Sequence, residues 1–168
     1  RLRALEPFLK RAGFDVQEFS YGFVFFFSAM ANNKDVAKKL AQKINLAKTE
    51  YDEVHVIGHS NGCALMELAS CHIRKCDSYS YIAPALESYN APQNIVNRIH
   101  VWFNPEDGVL KLTEIVRHIP QWMFKRLHWG KMGITGYIGH DPRMTNHEIT
   151  GYNLNWYEQH SAALIHKN

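Results

Sequence analysis

Cysteine is scarce and unpaired in this sequence. Cys63, Cys71 and Cys76 make an odd count with no C-x-x-C pair, which excludes the disulfide framework of a small secreted domain and points to a reduced, cytoplasmic chain. No signal-peptide pattern stands at the start. Long apolar runs are missing too. The longest, residues 23–31, has nine residues including Ser28, against the ~18 that a membrane span needs. No block of one charge sign is present, because 19 Lys and Arg are scattered among 16 Asp and Glu for a net charge of +3. A nucleic-acid surface would show a basic stripe or run, so nucleic acid is not expected as a partner. Ten histidines form no H-E-x-x-H and no paired Cys/His spacing, so no metal site is expected either. Internal repeats, low-complexity tracts and linkers are absent.

Apolar material, by contrast, is plentiful. The 168 residues are 46% hydrophobic and 12% aromatic, which excludes a disordered chain. A chain of this length buries roughly 70% of its unfolded surface, as one domain over residues 1–168. Leu2, Leu5 and Leu9 predict a helix over residues 1–12 that Gly13 stops. Phe14, Val16 and Phe19 predict a strand. Asn32 or Asn33 is expected to cap a helix with Asp35 in its first turn and Val36, Leu40 and Ile44 as its apolar stripe. Residues 54–57 read as a strand, and 61–75 as a helix with Leu65, Leu68, Ala69 and His72 on one face. Residues 78–82 read as a strand that Pro84 ends. A strand over residues 99–103, a loop over 104–108, a helix over 114–127 around Pro120, a strand over 143–150 and a helix over 155–166 complete the pattern. Such alternation predicts an α/β fold, a mostly parallel sheet with helices on both faces.

One motif carries chemistry. Gly58-His59-Ser60-Asn61-Gly62 matches G-x-S-x-G and lies between an apolar strand and an amphipathic helix. A serine on a tight strand-to-helix turn projects its hydroxyl from the carboxyl edge of the sheet, and glycines on both sides leave room for close backbone approach. The Asn61 N–H then stands at a helix N-terminus, where it stabilises an oxyanion. The plain alternative is a glycine-rich turn with a capping serine.

Serine needs a histidine base that is itself oriented by a carboxylate. On an α/β sheet these partners follow in the order Ser, Asp/Glu, His. Asp107, in the loop after the 99–103 strand, is the acid candidate, with its neighbour Glu106 as the alternative. The competing role for Asp107 is a turn residue before Gly108. His118, His128, His140, His147, His160 and His166 all follow the acid. His160, in a loop after the last strand, is the leading base, with His147 and His140 as alternatives.

These residues together resemble a serine hydrolase of the α/β-hydrolase fold, of the lipase and esterase kind. Gly58-His59-Ser60-Asn61-Gly62 is similar to that family's G-H-S-x-G elbow. Residues 101–109 resemble its acid loop, and Gln159-His160-Ser161 resembles the His-Ser pair at its base position. Gly130, Gly133, Gly136 and Gly139, spaced by three, resemble a turn region before the last strand of some hydrolases. The resemblance implies Ser60 as nucleophile, Asp107 as acid, His160 as base and the Asn61 N–H as oxyanion donor, acting on an ester or related acyl bond with no cofactor. It also implies a further strand whose His-Gly-type loop supplies a second oxyanion N–H. Nothing of that kind precedes Arg1, so the natural protein is expected to be longer at its N-terminus. In the family's strand order that strand lies between those predicted at 14–19 and 54–57, which leaves a gap in mid-sheet. Loss of one oxyanion donor costs roughly 10²–10³ in rate.

Three features remain. The apolar residues 21–27 are expected to be a buried segment or the lining of an acyl pocket. Residues 119–132, basic and aromatic, read as a packed helix, a lid, or a weak membrane-surface contact. The three cysteines are expected to be small buried thiols. The substrate class implied is a small-molecule or lipid-like acyl compound. A non-catalytic binding module of the same fold, and a thioesterase or peptidase with the same triad, are the alternatives.

Overall fold

Residues 2–20, 34–93, 96–117, 130–150 and 160 are described in a computed structural model of the chain. A 3-10 turn at Leu2–Leu5 leads into α1 (Glu6–Arg11). Pro7 has no N–H to bond the carbonyl of Arg3, so the α-helix begins only one residue before it and not at residue 1. Gly13, at φ 89°, then turns the chain. The strand expected at Phe14–Phe19 does not form. This stretch forms no ladder with any other described residue. It is held instead by side chains: Arg3 pairs with Glu18 at 2.8 Å, the Phe14 ring meets His55 edge-on, and Phe19 packs on the core. With no strand there, the predicted mid-sheet gap is not found among the described residues.

α2 (Lys34–Glu50) buries Ala37, Leu40, Ala41 and Ile44 along one stripe. Its expected caps, Asn32 and Asn33, lie outside the described residues. β1 (His55–His59) follows, then α3 (Asn61–Ser70), which stops five residues short of the predicted end. The Asn45 side chain from α2 explains the stop. It accepts from Arg74 N at 2.9 Å and donates to the His72 carbonyl at 3.1 Å, which satisfies the backbone outside a helix. His72 is therefore exposed rather than on the buried face.

β2 (Cys76–Ile82), β3 (Val96–Phe103) and β4 (Met144–Glu148) complete a four-stranded sheet in the order β1-β2-β3-β4, parallel throughout. With its flanking helices this is the α/β class. Register makes the two faces unlike. One face carries Val56, Tyr79, Ile99 and Met144 in one row and Gly58, Tyr81 and Val101 in the next. α2 and α3 pack there to form the core. The other face carries His55, Ser78, Ser80, His100, Trp102 and His147, where His55 Nδ1 meets Ser78 Oγ at 2.7 Å and His100 Nδ1 meets His147 Nε2 at 3.0 Å.

α4 (Gly108–Arg117) begins six residues before the expected helix, because Asp107 caps it. α5 (Met132–Thr135) follows, and residues 118–129 lie outside the description. The glycines before β4 have a packing role. Met132 N and Gly133 N donate to the Leu86 and Pro84 carbonyls at 2.8 and 3.0 Å, and Asn104 N donates to Gly133 O at 2.9 Å. An added Cβ at Gly130 would stand 2.1 Å from Leu86 and Glu87 backbone atoms, and one at Gly133 2.2 Å from Leu110 Cδ1. Arg143, at the foot of β4, fixes the strand by bonding the carbonyls of Pro92, Gln93 and Val96 at 2.8–3.0 Å and the Asp141 carboxylate.

Gly130→Ala should destabilise the protein by about 1–3 kcal/mol, since the backbone facing it has nowhere to go; the denaturant midpoint measures this. The Arg143 hydrogen bonds hold the Asp141 carboxyl below its usual value, against the opposing effect of burial. A depressed folded value contributes stability above the unfolded one, about 3.9, and loses it as pH falls through the folded value. The stability difference between the wild type and Asp141→Asn should accordingly persist from pH 7 to about 5 and shrink below about pH 4.

Candidate active site

Four parallel strands share one carboxyl edge, and the expected residues follow them. Ser60 comes directly after β1, Asp107 in the turn after β3, and His160 beyond β4. Ser60 has φ 54° and ψ −121°. A side chain in this conformation costs about 1–3 kcal/mol, and main-chain bonds hold it. Ser60 N donates to Ile82 O at 2.9 Å, while Ser60 O accepts from Cys63 N at 3.1 Å and Ala85 N at 3.3 Å.

The two glycines of the motif differ. A Cβ on Gly58 would meet Met66 Sδ at 2.3 Å and Cys63 N at 3.1 Å, so its absence lets α3 close onto β1. Gly62 needs no such room, because a Cβ there meets nothing within 4 Å. Its side of the elbow is open. The Asn61 N–H, at the first helical position, has no acceptor within its own helix. It stands where the helix dipole favours negative charge.

Asp107 is fully buried, and each carboxylate oxygen has a partner. Oδ1 accepts from Leu110 N at 3.0 Å, which caps α4, and Oδ2 lies 2.6 Å from His160 Nδ1. The turn role and the orienting role expected as alternatives for Asp107 therefore coexist in one side chain. A carboxylate only accepts, so Nδ1 carries the imidazole proton and Nε2 keeps its lone pair. His160 is 6% exposed. Its carbonyl accepts from His59 Nε2 at 3.0 Å, and the two rings meet with centroids 4.8 Å apart. His160 thus touches the residue that precedes Ser60. The Ser60 hydroxyl makes no hydrogen bond among the described residues, as is common at sites that tighten only around substrate.

The alternatives are placed elsewhere. Glu106 is exposed. His147 lies within β4, bonded to His100 and stacked on Trp102 at 4.2 Å. Burial first, and His100 second, hold it below its usual pKa. His140 is exposed in the approach to β4. His118, His128 and His166 fall outside the described residues, as do the apolar segment 21–27, residues 119–129 of the expected lid, and the helix expected at 155–166 apart from His160 itself. Cys63, three residues from Ser60, is no rival nucleophile, since burial pushes its thiol far up and it donates toward Ile82 O. Cys76 is pushed up to about 12, again by burial. Cys71 corrects the expectation of buried thiols: it follows the end of α3 and is exposed. Among the described residues no group of three or more His, Cys, Asp or Glu has metal-site geometry, and no helix is long and apolar enough to cross a membrane.

Sequence reasoning passed over His59. The elbow match includes it, but nothing local shows what its side chain meets, because its partner is 101 residues away. Comparison with protein-family models, curated proteins and solved structures returns no match.

The two roles of Asp107 are separable. Asp107→Asn retains an oxygen for Leu110 N, whereas Asp107→Ala removes it. Asp107→Ala should be less stable than Asp107→Asn by about 1 kcal/mol, measured by thermal unfolding; Ala removes the Nδ1 contact, whereas the Asn amide donates to Nδ1 and reverses it.

Proposed function

We propose that the protein is a serine hydrolase that cleaves an ester or related acyl bond of a small-molecule or lipid-like substrate. The observation that carries this reading is the convergence at one sheet edge of a left-handed Ser60 at a strand-to-helix turn and a buried Asp107–His160 pair at 2.6 Å. In this mechanism Ser60 Oγ attacks the acyl carbon while its proton passes to His160 Nε2. Asp107 holds the ring and stabilises the imidazolium. The carbonyl oxygen becomes an oxyanion and accepts from the Asn61 N–H. Collapse breaks the bond to the leaving group, which takes the proton from Nε2. Water then attacks the acyl-enzyme by the same route, releasing the acid and restoring Ser60. No step calls for a cofactor. The free thiols Cys63, Cys71 and Cys76 support a cytoplasmic setting, since thiols persist in reducing compartments.

The test is covalent labelling. A fluorophosphonate probe should modify the wild-type chain at Ser60, and Ser60→Ala should abolish both labelling and p-nitrophenyl ester turnover. Asp107→Asn should lower kcat by about 10⁴, because it favours the wrong tautomer of the base. An unlabelled wild-type chain would instead mean a binding module on the same scaffold. A panel of ester, thioester and amide substrates separates an esterase from a thioesterase or peptidase.

A further inference from the structure

β1 ends on His59, between the glycine that admits α3 and the serine of the turn. Neighbouring side chains in a strand point to opposite faces. His59 therefore leaves the sheet on the face opposite Gly58, away from α3, in the row that also holds His55 and Ile57. There its Nε2 lies 3.0 Å from the main-chain carbonyl of His160. A carbonyl only accepts, so His59 Nε2 carries the proton and donates it. The two rings meet edge to face, with planes at 65°.

Among the described residues His160 is thus held twice, in two different ways. Asp107 holds one nitrogen of its ring and sets the tautomer. That contact alone leaves the backbone from which the ring hangs free to shift, and a ring can keep one hydrogen bond while its far nitrogen swings. The His59 bond fixes the backbone. It also fixes it to the right place, because His59 and Ser60 are consecutive. Any movement of the end of β1 carries the nucleophile and the anchor of the base together.

We infer that His59 is a positioning residue, whose Nε2–H, donated to the His160 carbonyl, sets the base in register with the adjacent Ser60. The inference rests on Ser60 and His160 being nucleophile and base. It assigns His59 no proton transfer and no contact with substrate. A base displaced by about 1 Å loses roughly a hundredfold in rate, and a base anchored to the nucleophile's own strand avoids that loss.

Two variants isolate the donor. His59→Phe keeps an aromatic ring and loses the N–H. His59→Gln puts an amide N–H at nearly the reach of Nε2. With p-nitrophenyl esters, His59→Phe should lower kcat about 10- to 100-fold with KM within about twofold, and His59→Gln should recover most of the loss. If His59→Phe folds poorly by circular dichroism, His59→Asn, whose amide falls short of the carbonyl, replaces it. An unchanged kcat without the donor, or equal losses in the Phe and Gln variants, would overturn the inference. A second readout needs no turnover. The far-downfield proton resonance of His160 Nδ1, assigned by its loss in Asp107→Asn, should shift or broaden in His59→Phe and survive in His59→Gln. If it stays unmoved in His59→Phe, the positioning role is wrong. A wild-type chain that neither labels nor turns over ester, yet shows this pattern of resonances, would overturn the hydrolase reading while upholding the anchor.

Discussion

Asp107 is a carboxylate without access to solvent, and the candidate site is arranged around answering its two oxygens. An unpaired buried carboxylate costs several kcal/mol. One oxygen is answered locally, by the N–H of Leu110 three residues ahead. That bond starts α4 at Gly108. The other is answered from 53 residues away, by His160 Nδ1. That bond requires the chain beyond β4 to return to the carboxyl edge of the sheet. A helix start and a long-range imidazole contact are therefore joined in one side chain.

A second constraint is the left-handed backbone at Ser60. Its cost of about 1–3 kcal/mol is offset by bonds to the end of β2 and the turn beyond it. Those bonds continue. Ala83 N donates to Trp102 O, Gly133 N to Pro84 O, Asn104 N to Gly133 O, and Asp107 N to Asn104 O. The elbow, the turn after β2, the glycine segment and the acid loop are thus stitched by a chain of main-chain bonds. Gly133 has to be glycine for this, since a side chain there would strike Leu110 of the helix that Asp107 caps. Strain at the serine and burial of the aspartate are thus carried on one connected backbone framework.

Much of this was legible locally. The strand before Ser60 and the helix after it follow from apolar periodicity and turn chemistry, while Asp107 and His160 are candidates because a catalytic serine on such a sheet calls for an acid and then a histidine later in the chain. The departures have a common origin. Sequence places the start of α4 too late because Asp-Gly looks like a turn, and the capping bond that makes it a helix start appears only once Asp107 is buried. α3 was read long because nothing in residues 71–75 shows that Asn45, from another helix, will satisfy their backbone. Phe14–Phe19 has strand composition but meets side chains rather than a neighbouring ladder. The contact of His59 with His160 has no local signature at all. Periodicity reports which face of an element is buried. It does not report which polar group from a distant segment arrives to meet it.

The histidines make the same point more sharply, because residue type alone does not sort them. His55 answers one nitrogen with Ser78 and the other with Glu53. His100 and His147 answer each other across β3 and β4, and His147 adds a stack on Trp102. These rings find their partners on the polar face of the sheet. His59 donates to a backbone carbonyl. His160 differs in kind. It is buried, its Nδ1 is committed to a carboxylate, and its Nε2 has no partner among the described residues. In the proposed mechanism that second nitrogen is the one that takes the Ser60 proton. What sets His160 apart among the described histidines is a buried ring with one nitrogen committed to a carboxylate.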